Sequence, residues 1–562
     1  MATREAILEK IQGRFADRVT AQDNKDLATI LVTPENLVEV ARYFRDEPEL
    51  ACDLLLDLCG VDYPGRSLRF ETVTHLYSTK KNHRVRVKVR LPEENPHQPT
   101  LSQIWPAVDW FERECFDLMG IRFDGHRNLK RILCHDGFQG HALRKDYDAG
   151  QRWQCVPGNI QVPEQILGQG EIRDHFETQV LNLGPSHPAT HGTLRIVVRL
   201  DGEIIVGSEC EIGYLHRCFE KMSEAHFYNQ VIPYTDRLNY CSPMLNGIGY
   251  ARAVEEMIGA DVPLRARRIR VILGELSRIM DHMVCIGTNL VDIGALTNFW
   301  YFFQPREEIY GVLEACCGSR LTNSYVRIGG LSADVPKNFV EEVRKLLVSI
   351  PKHIDDVDRL ITQNKIFKSR TVGVGKATAE QAVAWGFTGP CLRASGVPFD
   401  VRKASPYDGY DQFDWDVPYA TDGDTYSRYL VRMEEMRQSL KIIKQALGDL
   451  PPGPVITGDW RVALPPKERV YNEMEPLIWH FKLIYEGIKV PAGEHYSMSE
   501  GGNGELGFYI VSDGSGHPHR IKVRPPCFPL FQAFPALANG AMVSDAIAIL
   551  GSLNIIAGEL DR

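Results

Sequence analysis

No Cys-x-x-Cys pair occurs anywhere in this 562-residue chain. Its 13 cysteines are an odd number, scattered, with no secretory signal ahead of them, which argues for reduced thiols rather than a disulfide framework. The only close pair, Cys316-Cys317, consists of neighbours that cannot easily share a metal, so a thiolate-bound zinc or iron–sulfur site inside the chain is not expected. Long hydrophobic runs are missing as well. The best candidate, Ala541 to Gly558, is interrupted by Ser544, Asp545, Ser552 and Asn554 and falls short of a clean span of about 20 residues, so it reads as a buried helix. Met1 to Asp17 (MATREAILEKIQGRFAD) has charges throughout and no apolar core of a signal peptide. The chain is therefore expected in the cytosol, free to sit on a membrane protein. A basic excess is also lacking: the net charge is −9 and the pI about 6.0, which makes nucleic acid a poor default partner. No glycine-rich dinucleotide loop and no internal repeat are found.

What is present is ordinary in bulk and organised in detail. Apolar residues make up 44% and charged residues 24%, as in a folded protein, and 562 residues are too many for one ordinary core. In the first region, to about residue 149, Leu68 to Tyr77 is rich in β-formers. Val85, Val87, Val89 and Leu91 alternate with Arg84, Arg86, Lys88 and Arg90, the pattern of a strand with one apolar face. Lys80 to His83 supplies the turn, and helices are predicted at Pro34 to Phe44 and Leu101 to Met119. This is an α+β domain. Residues 150–177, rich in Gly, Gln and Pro, read as a linker.

The second region spans 178–562. Leu194 to Leu200 and Glu203 to Ser208 flank Asp201-Gly202, a hairpin signal. Apolar residues from Ile269 to Met283 recur at i, i+3, i+4 spacing, predicting one helix over Leu264 to Leu290. Further helices are predicted at Val340–Asn364, Tyr426–Leu447 and, last, Met542–Leu550; Gly507 to Val511 and Arg520 to Val523 form another hairpin.

The segment GPSHPATHG, Gly184 to Gly192, carries two histidines four apart. Pro185 and Pro188 prevent a regular helix, so His187 and His191 cannot be a helical metal pair. Glycines at both ends permit a tight loop. On its residues alone this is as compatible with a structural turn as with a ligand loop.

That loop, followed by IGYLHRCFEKM (Ile212 to Met222), PYTDRLNY (Pro233 to Tyr240), LVDIGA (Leu290 to Ala295), GPCLRASGVPFDVRKASPY (Gly389 to Tyr407) and the terminal GELDR, resembles the 49-kDa-type subunit of respiratory complex I. Upstream, ERECFDLMGIRFDGHRNLKRIL (Glu112 to Leu133) and HALRKDY (His141 to Tyr147) resemble the 30-kDa-type subunit. The resemblance covers almost the whole chain, in the order of the fused form of these two subunits, and its several motifs at consistent spacing are far more specific than one short pattern.

The resemblance implies a small N-terminal α+β domain and a larger mixed domain whose helical core is similar to the nickel–iron hydrogenase large subunit. It implies a wall of the quinone-reduction site of a proton-pumping NADH:quinone oxidoreductase, active only as part of the complex. His191 and Tyr240 match the residues that hold the quinone headgroup, with Asp292 as partner of His191; His187 and Gly192 belong to the same loop. The types suit the chemistry: a phenol donates a hydrogen bond, an imidazole supplies a proton near neutral pH, and a carboxylate beside it fixes the tautomer. Taken singly, Tyr240 reads as a core tyrosine and Asp292 as a helix-end residue.

Arg217 matches an arginine packed near a tetranuclear iron–sulfur cluster held by a neighbouring subunit. Two positions depart from the family pattern. Cys218 stands where glycine is usual and reads as a small buried residue; Thr322, in RLTNSYVRIGG, stands where many members carry a histidine. Without that imidazole the cluster potential is expected to depend less on pH, and to be low enough to suit menaquinone. Glu112, Arg113, Glu114, Asp117 and HALRKDY are expected to form a docking surface between subunits. The chain itself is expected to bind no cofactor and no metal. Its expected partners are the iron–sulfur subunit, the other peripheral-arm and membrane-arm subunits and a quinone, either ubiquinone or menaquinone, at the cytoplasmic side of the bacterial inner membrane. A quinone oxidoreductase fed by ferredoxin or another donor is the alternative reading. A hydrogenase is disfavoured, because LHRCFEKM and GELDR lack the two Cys-x-x-Cys pairs a nickel–iron centre requires. A non-catalytic scaffold is disfavoured by the intact His191, Tyr240 and Asp292 set.

Overall fold

A computed structural model describes residues 3–150, 178–190 and 193–562. The expected linker therefore lies, Gly150 excepted, outside the described residues. The first region contains helices α1 (Arg4–Phe15), α2 (Leu37–Asp46) and α3 (Val108–Met119) around a five-stranded sheet. The strands are β1 (Val19–Gln22), β2 (Ala28–Val32), β3 (Leu54–Asp62), β4 (Phe70–Ser78) and β5 (His83–Leu91), in the order β1-β2-β5-β4-β3. Only β2 and β5 run parallel. The third helix begins at Val108, not at Leu101, because Pro106 disfavours helical backbone at the residue before it.

The second region opens with a three-stranded sheet, β6 (Gln179–Leu183), β7 (Arg195–Asp201) and β8 (Ile204–Glu211). Asp201 pairs with Ile204, so the turn residues are Gly202 and Glu203, one position later than the sequence signal. Helices follow: α4 (Phe219–Glu224), α5 (Pro243–Ile258), α6 (Leu264–Asp292), α7 (Leu296–Cys317), α8 (Phe339–Val357), α9 (Thr425–Gly448) and α10 (Met474–Glu486). A second three-stranded sheet comprises β9 (Gly493–Glu500), β10 (Glu505–Ser512) and β11 (Arg520–Arg524). The chain closes with α11 (Val543–Leu553) and α12 (Ala557–Asp561), so the helix expected to be last is not.

The basic face of β5, expected to face water, does not: every residue of the strand except Arg90 is buried. Arg84 pairs with Glu505 at 2.9 Å, and Lys88 with Glu494 at 2.6 Å and Glu71 at 2.8 Å. The sheet of β9 to β11 lies against that face, with His75 stacked on Tyr496 at 4.4 Å between ring centres. Alternation therefore reported two interfaces, one apolar and one ionic, rather than core and solvent.

The charged positions of α3 and HALRKDY likewise find partners within the chain. Glu114 accepts from Lys522 at 2.6 Å and from Arg562 at 3.0 Å. Asp117 accepts the backbone N–H groups of Ile132, Leu133 and Cys134, and Lys145 reaches Glu224 at 2.8 Å. Glu114 and Lys145 of the expected docking surface thus lie at the seam between the two regions, whereas Glu112, Arg113 and Asp117 brace the first region internally.

Deep in the second region α6, α9 and β9 are tied by charges. Arg402 reaches Glu435 at 2.9 Å and Asp400 at 2.7 Å; Arg393 reaches Glu500 at 2.8 Å and Glu435 at 2.8 Å; Arg278 lies beside Glu275. All are fully buried, so each carboxylate depends on these guanidinium partners and would be strongly penalised without them.

Candidate functional site

Tyr240 sits on the short connection between a helical turn at Ile232–Thr235 and α5. Leu238, Asn239, Cys241 and Ser242 on either side are buried, whereas Tyr240 keeps 39% of its surface exposed. The connection is held by side chains rather than by regular structure. Asn239 Oδ1 accepts from Cys241 N–H at 3.1 Å, and Asn246 Nδ2 donates to the Asn239 carbonyl at 2.9 Å. Asp281 of α6 accepts from Asn239 Nδ2 at 2.7 Å and from Ser242 Oγ at 2.8 Å. Partial burial, with smaller contributions from Cys241, Cys527 and Asp281, pushes the Tyr240 phenol up to about 12, so it remains a proton-bearing donor at neutral pH.

Asp292 is the last residue of α6 and half-buried. A carboxylate at a helix C-terminus opposes the helix dipole, and a positively charged or hydrogen-bond-donating neighbour relieves that cost. His187 is half-buried, and its carbonyl accepts from Thr190 N–H at 3.1 Å and Oγ at 3.0 Å. Pro188–Thr190 makes a single 3-10 turn, in keeping with the prolines that forbid a longer helix. His191 and Gly192 lie outside the described residues.

The elements carrying these residues meet on the C-terminal segment. The Pro188–Thr190 turn packs on α11. That helix packs in turn on the later half of α6, where Cys285 Sγ donates to the Gly551 carbonyl and a side chain at Gly551 would lie 2.9 Å from Asn289 Oδ1. Beyond it, a Cβ on Gly558 would come within 2.4 Å of the Arg237 carbonyl, 2.6 Å of the Leu238 carbonyl and 3.3 Å of the Tyr240 ring. Only glycine allows the chain to run so close beneath Tyr240.

A second group gathers at the other side of GELDR. The Asp561 carboxylate accepts from Gly213 N–H at 3.0 Å and Leu215 N–H at 2.8 Å, and its carbonyl pairs with His216 Nδ1 at 2.7 Å. The loop of Arg217 and Cys218 is thereby wrapped around the chain terminus. Arg217 is exposed and pairs with no carboxylate among the described residues. Cys218 is half-buried rather than buried, adopts φ +54°, and burial pushes its thiol up to about 12. A thiol held protonated is a poor metal ligand. Thr322 is half-buried on a loop tied to the Tyr240 segment, since Asp236 accepts both N–H and Oγ–H of Ser324 at 2.7 Å. Among the described residues no group of three or more His, Cys, Asp or Glu side chains is arranged to hold a metal ion, and no helix is long and apolar enough to cross a membrane.

Sequence reasoning missed Asp281, Ser242 and Asn239, whose roles arise from contacts between distant segments. It also missed the apolar surface of α10, where Met474, Phe481, Ile484 and Tyr485 are each 60% exposed or more. Apolar side chains clustered in this way are more than the scattered exposed apolar residues usual on a protein surface.

Residues 292–562 match the family described as respiratory-chain NADH dehydrogenase, 49 Kd subunit, and residues 30–152 the 30 Kd subunit. The fused C/D protein of NADH-quinone oxidoreductase from Bdellovibrio bacteriovorus is 51% identical over 511 residues, covering 91% of each chain. Its counterpart from Methylococcus capsulatus is 39% identical over 579 residues, covering 99% of this chain and 98% of its own. The one from Nitrosospira multiformis is 39% identical over 586 residues, covering 99% and 96%. A chain that matches such proteins from end to end, with the 30-kDa-type part first and the 49-kDa-type part second, belongs to the fused C/D family of NADH-quinone oxidoreductase, in the peripheral arm of complex I.

Proposed function

We propose that this chain forms one wall of the quinone-reduction chamber and completes it with a neighbouring subunit that carries the terminal tetranuclear iron–sulfur cluster. Tyr240 and His191 hold the two quinone oxygens, and Asp292 orients His191. Reduction to quinol takes two electrons and two protons, and each oxygen gains negative charge before it is protonated. The Tyr240 hydroxyl stabilises the charge on one oxygen by donation and passes it a proton, the His191 imidazolium supplies the second proton to the other oxygen, both groups being reprotonated from water, and Asp292 favours the charged imidazole. Electrons arrive from the neighbouring cluster, with Arg217 and Thr322 on the side that faces it. Residues 1–149 act as the 30-kDa-type domain, 150–177 as linker and 178–562 as the 49-kDa-type, hydrogenase-like domain. The assembly sits peripherally on the cytoplasmic side of the bacterial membrane, with α10 covered by another subunit.

The observation that carries this reading is Tyr240 itself: an exposed phenol presented from a buried, side-chain-pinned turn beside the terminal segment. Rigid presentation of a polar group is what substrate positioning requires. The test uses membranes bearing Tyr240→Phe, comparing NADH-driven quinone reduction with NADH-driven ferricyanide reduction, which takes electrons upstream. Selective collapse of quinone reduction supports the site. Persistence of both makes Tyr240 structural. Absence of both in the parent membranes, with another donor supporting quinone reduction, moves the electron source and keeps the site.

A further inference from the structure

We propose that Asp281, buried beneath the Tyr240 turn, is a positioning residue for quinone reduction: its carboxylate fixes the residues on both sides of Tyr240 and so fixes where the phenol hydroxyl points. The proposal rests on Tyr240 being a quinone ligand and adds the part that aims it.

Asp281 lies in the middle of α6 with no surface exposed. Oδ2 accepts from Asn239 and Ser242, at 2.7 and 2.8 Å, and Oδ1 accepts from Asn554 Nδ2 at 3.0 Å. These three donors are neutral amides and a hydroxyl. The buried Arg432 guanidinium offsets the charge through space without bonding to it; even so, taking a carboxylate out of water is costly, and an apolar residue would fill the space at less cost to folding. What the carboxylate provides is geometry. It joins α6, the Tyr240 turn and the C-terminal segment at one point, and Asn239 passes the constraint on through its own bonds to Cys241 and Asn246. Tyr240 is thus bracketed by two residues that share one acceptor oxygen.

The surroundings are shaped for this group. A Cβ at Gly502 would lie 1.9 Å from Asp281 Oδ2, so the glycine reserves the space the carboxylate occupies. The charge also reaches the phenol: after burial and the thiols of Cys241 and Cys527, Asp281 is among the causes that keep the Tyr240 proton in place. Asp281 is distinct from Asp292, from which it stands 11 residues, or about 16 Å, along the same helix.

The experiment is a double-mutant cycle in the assembled complex in membranes, read as kcat and KM for a short-chain quinone and as ferricyanide reduction. Asp281→Asn is expected to lower kcat/KM for quinone about tenfold with ferricyanide reduction unchanged, because a residue that aims a substrate ligand acts on the reacting geometry. Combined with Tyr240→Phe it should cause no further loss, since it acts only through the hydroxyl that is already gone. A merely structural residue would instead multiply the defects. Parental quinone kinetics in Asp281→Asn, or multiplied losses in the double variant, would overturn the proposal. If Tyr240→Phe alone leaves quinone reduction intact, the ligand role of Tyr240 fails and this inference falls with it. Should Asp281→Asn lose ferricyanide activity through misassembly, Ser242→Ala, which removes one of the three bonds, takes its place in the cycle: no added loss on top of Tyr240→Phe supports the proposal, and multiplied losses overturn it.

Discussion

Arg84 and Glu505, 421 residues apart in sequence, form a buried ion pair at 2.9 Å that crosses from the first region to the second. Arg84 also lies over the Tyr77 ring at 4.5 Å, and Glu505 accepts from the Tyr496 hydroxyl at 3.1 Å. Removing one member leaves the other charge buried and unpaired. Arg84→Met is expected to destabilise the chain by about 3–5 kcal/mol, the usual cost of breaking a buried pair on one side. Denaturant unfolding of the isolated chain measures it. Arg84→Met combined with Glu505→Leu should recover much of the loss.

Asp57 faces the same seam with neither carboxylate oxygen hydrogen-bonded, and burial, against the pull of Lys522, pushes it up to about 7. An ordinary aspartate titrates near 3.9 when unfolded. Between these values the folded chain binds more protons than the unfolded one, so this group's contribution to stability falls as pH rises from about 4 to about 7. Asp57→Asn is expected to raise the melting temperature more at pH 8 than at pH 5. An equal shift at both pH values contradicts this.

Gly558→Ala would drive a methyl group into the carbonyls of Arg237 and Leu238, backbone atoms that cannot rotate away. The Tyr240 turn must then move. Quinone reduction is expected to fall about tenfold or more while ferricyanide reduction survives, since a displacement of about 1 Å at a positioning group carries penalties of that order. Unchanged quinone kinetics would mean that the turn can shift without consequence.

At Thr322, on the loop tied to the Tyr240 segment through Asp236, no proton is gained or lost near neutral pH. The potential of the neighbouring cluster is expected to vary little with pH in this chain. Thr322→His should introduce a dependence approaching about 59 mV per pH unit, the limit for one proton per electron, across the histidine titration. A redox titration at several pH values decides it, and a steep slope in the parent chain would count against the assignment.

Much of the fold was legible because local periodicity decided it. The apolar spacing from Ile269 to Met283 predicted α6 nearly to its ends, and the alternation at Val85 to Leu91 predicted β5. What that alternation could not reveal was the destination of the charged face, since Arg84, Arg86 and Lys88 look the same toward water as toward Glu505 and Glu494. The site divided in the same way. Tyr240 and Asp292 were singled out by motif resemblance; Asp292 lies at a helix end as its own surroundings suggested, whereas Tyr240, which taken singly reads as a core tyrosine, keeps 39% of its surface exposed on a turn. Asp281 was invisible because nothing within its own helix marks it; its partners lie 42, 39 and 273 residues away.

The seam described by Arg84, Lys88, Glu114 and Lys522 has a consequence for the covalent fusion. Each of these contacts would leave a charge without its partner if the two regions parted, so recognition between them is specific without a tether. Joining them in one polypeptide raises their effective concentration and fixes their stoichiometry at one to one. A chain severed between residues 152 and 178 is expected to remain a tight heterodimer, and the two halves made as separate polypeptides to assemble into the same architecture, with the tether governing supply rather than shape.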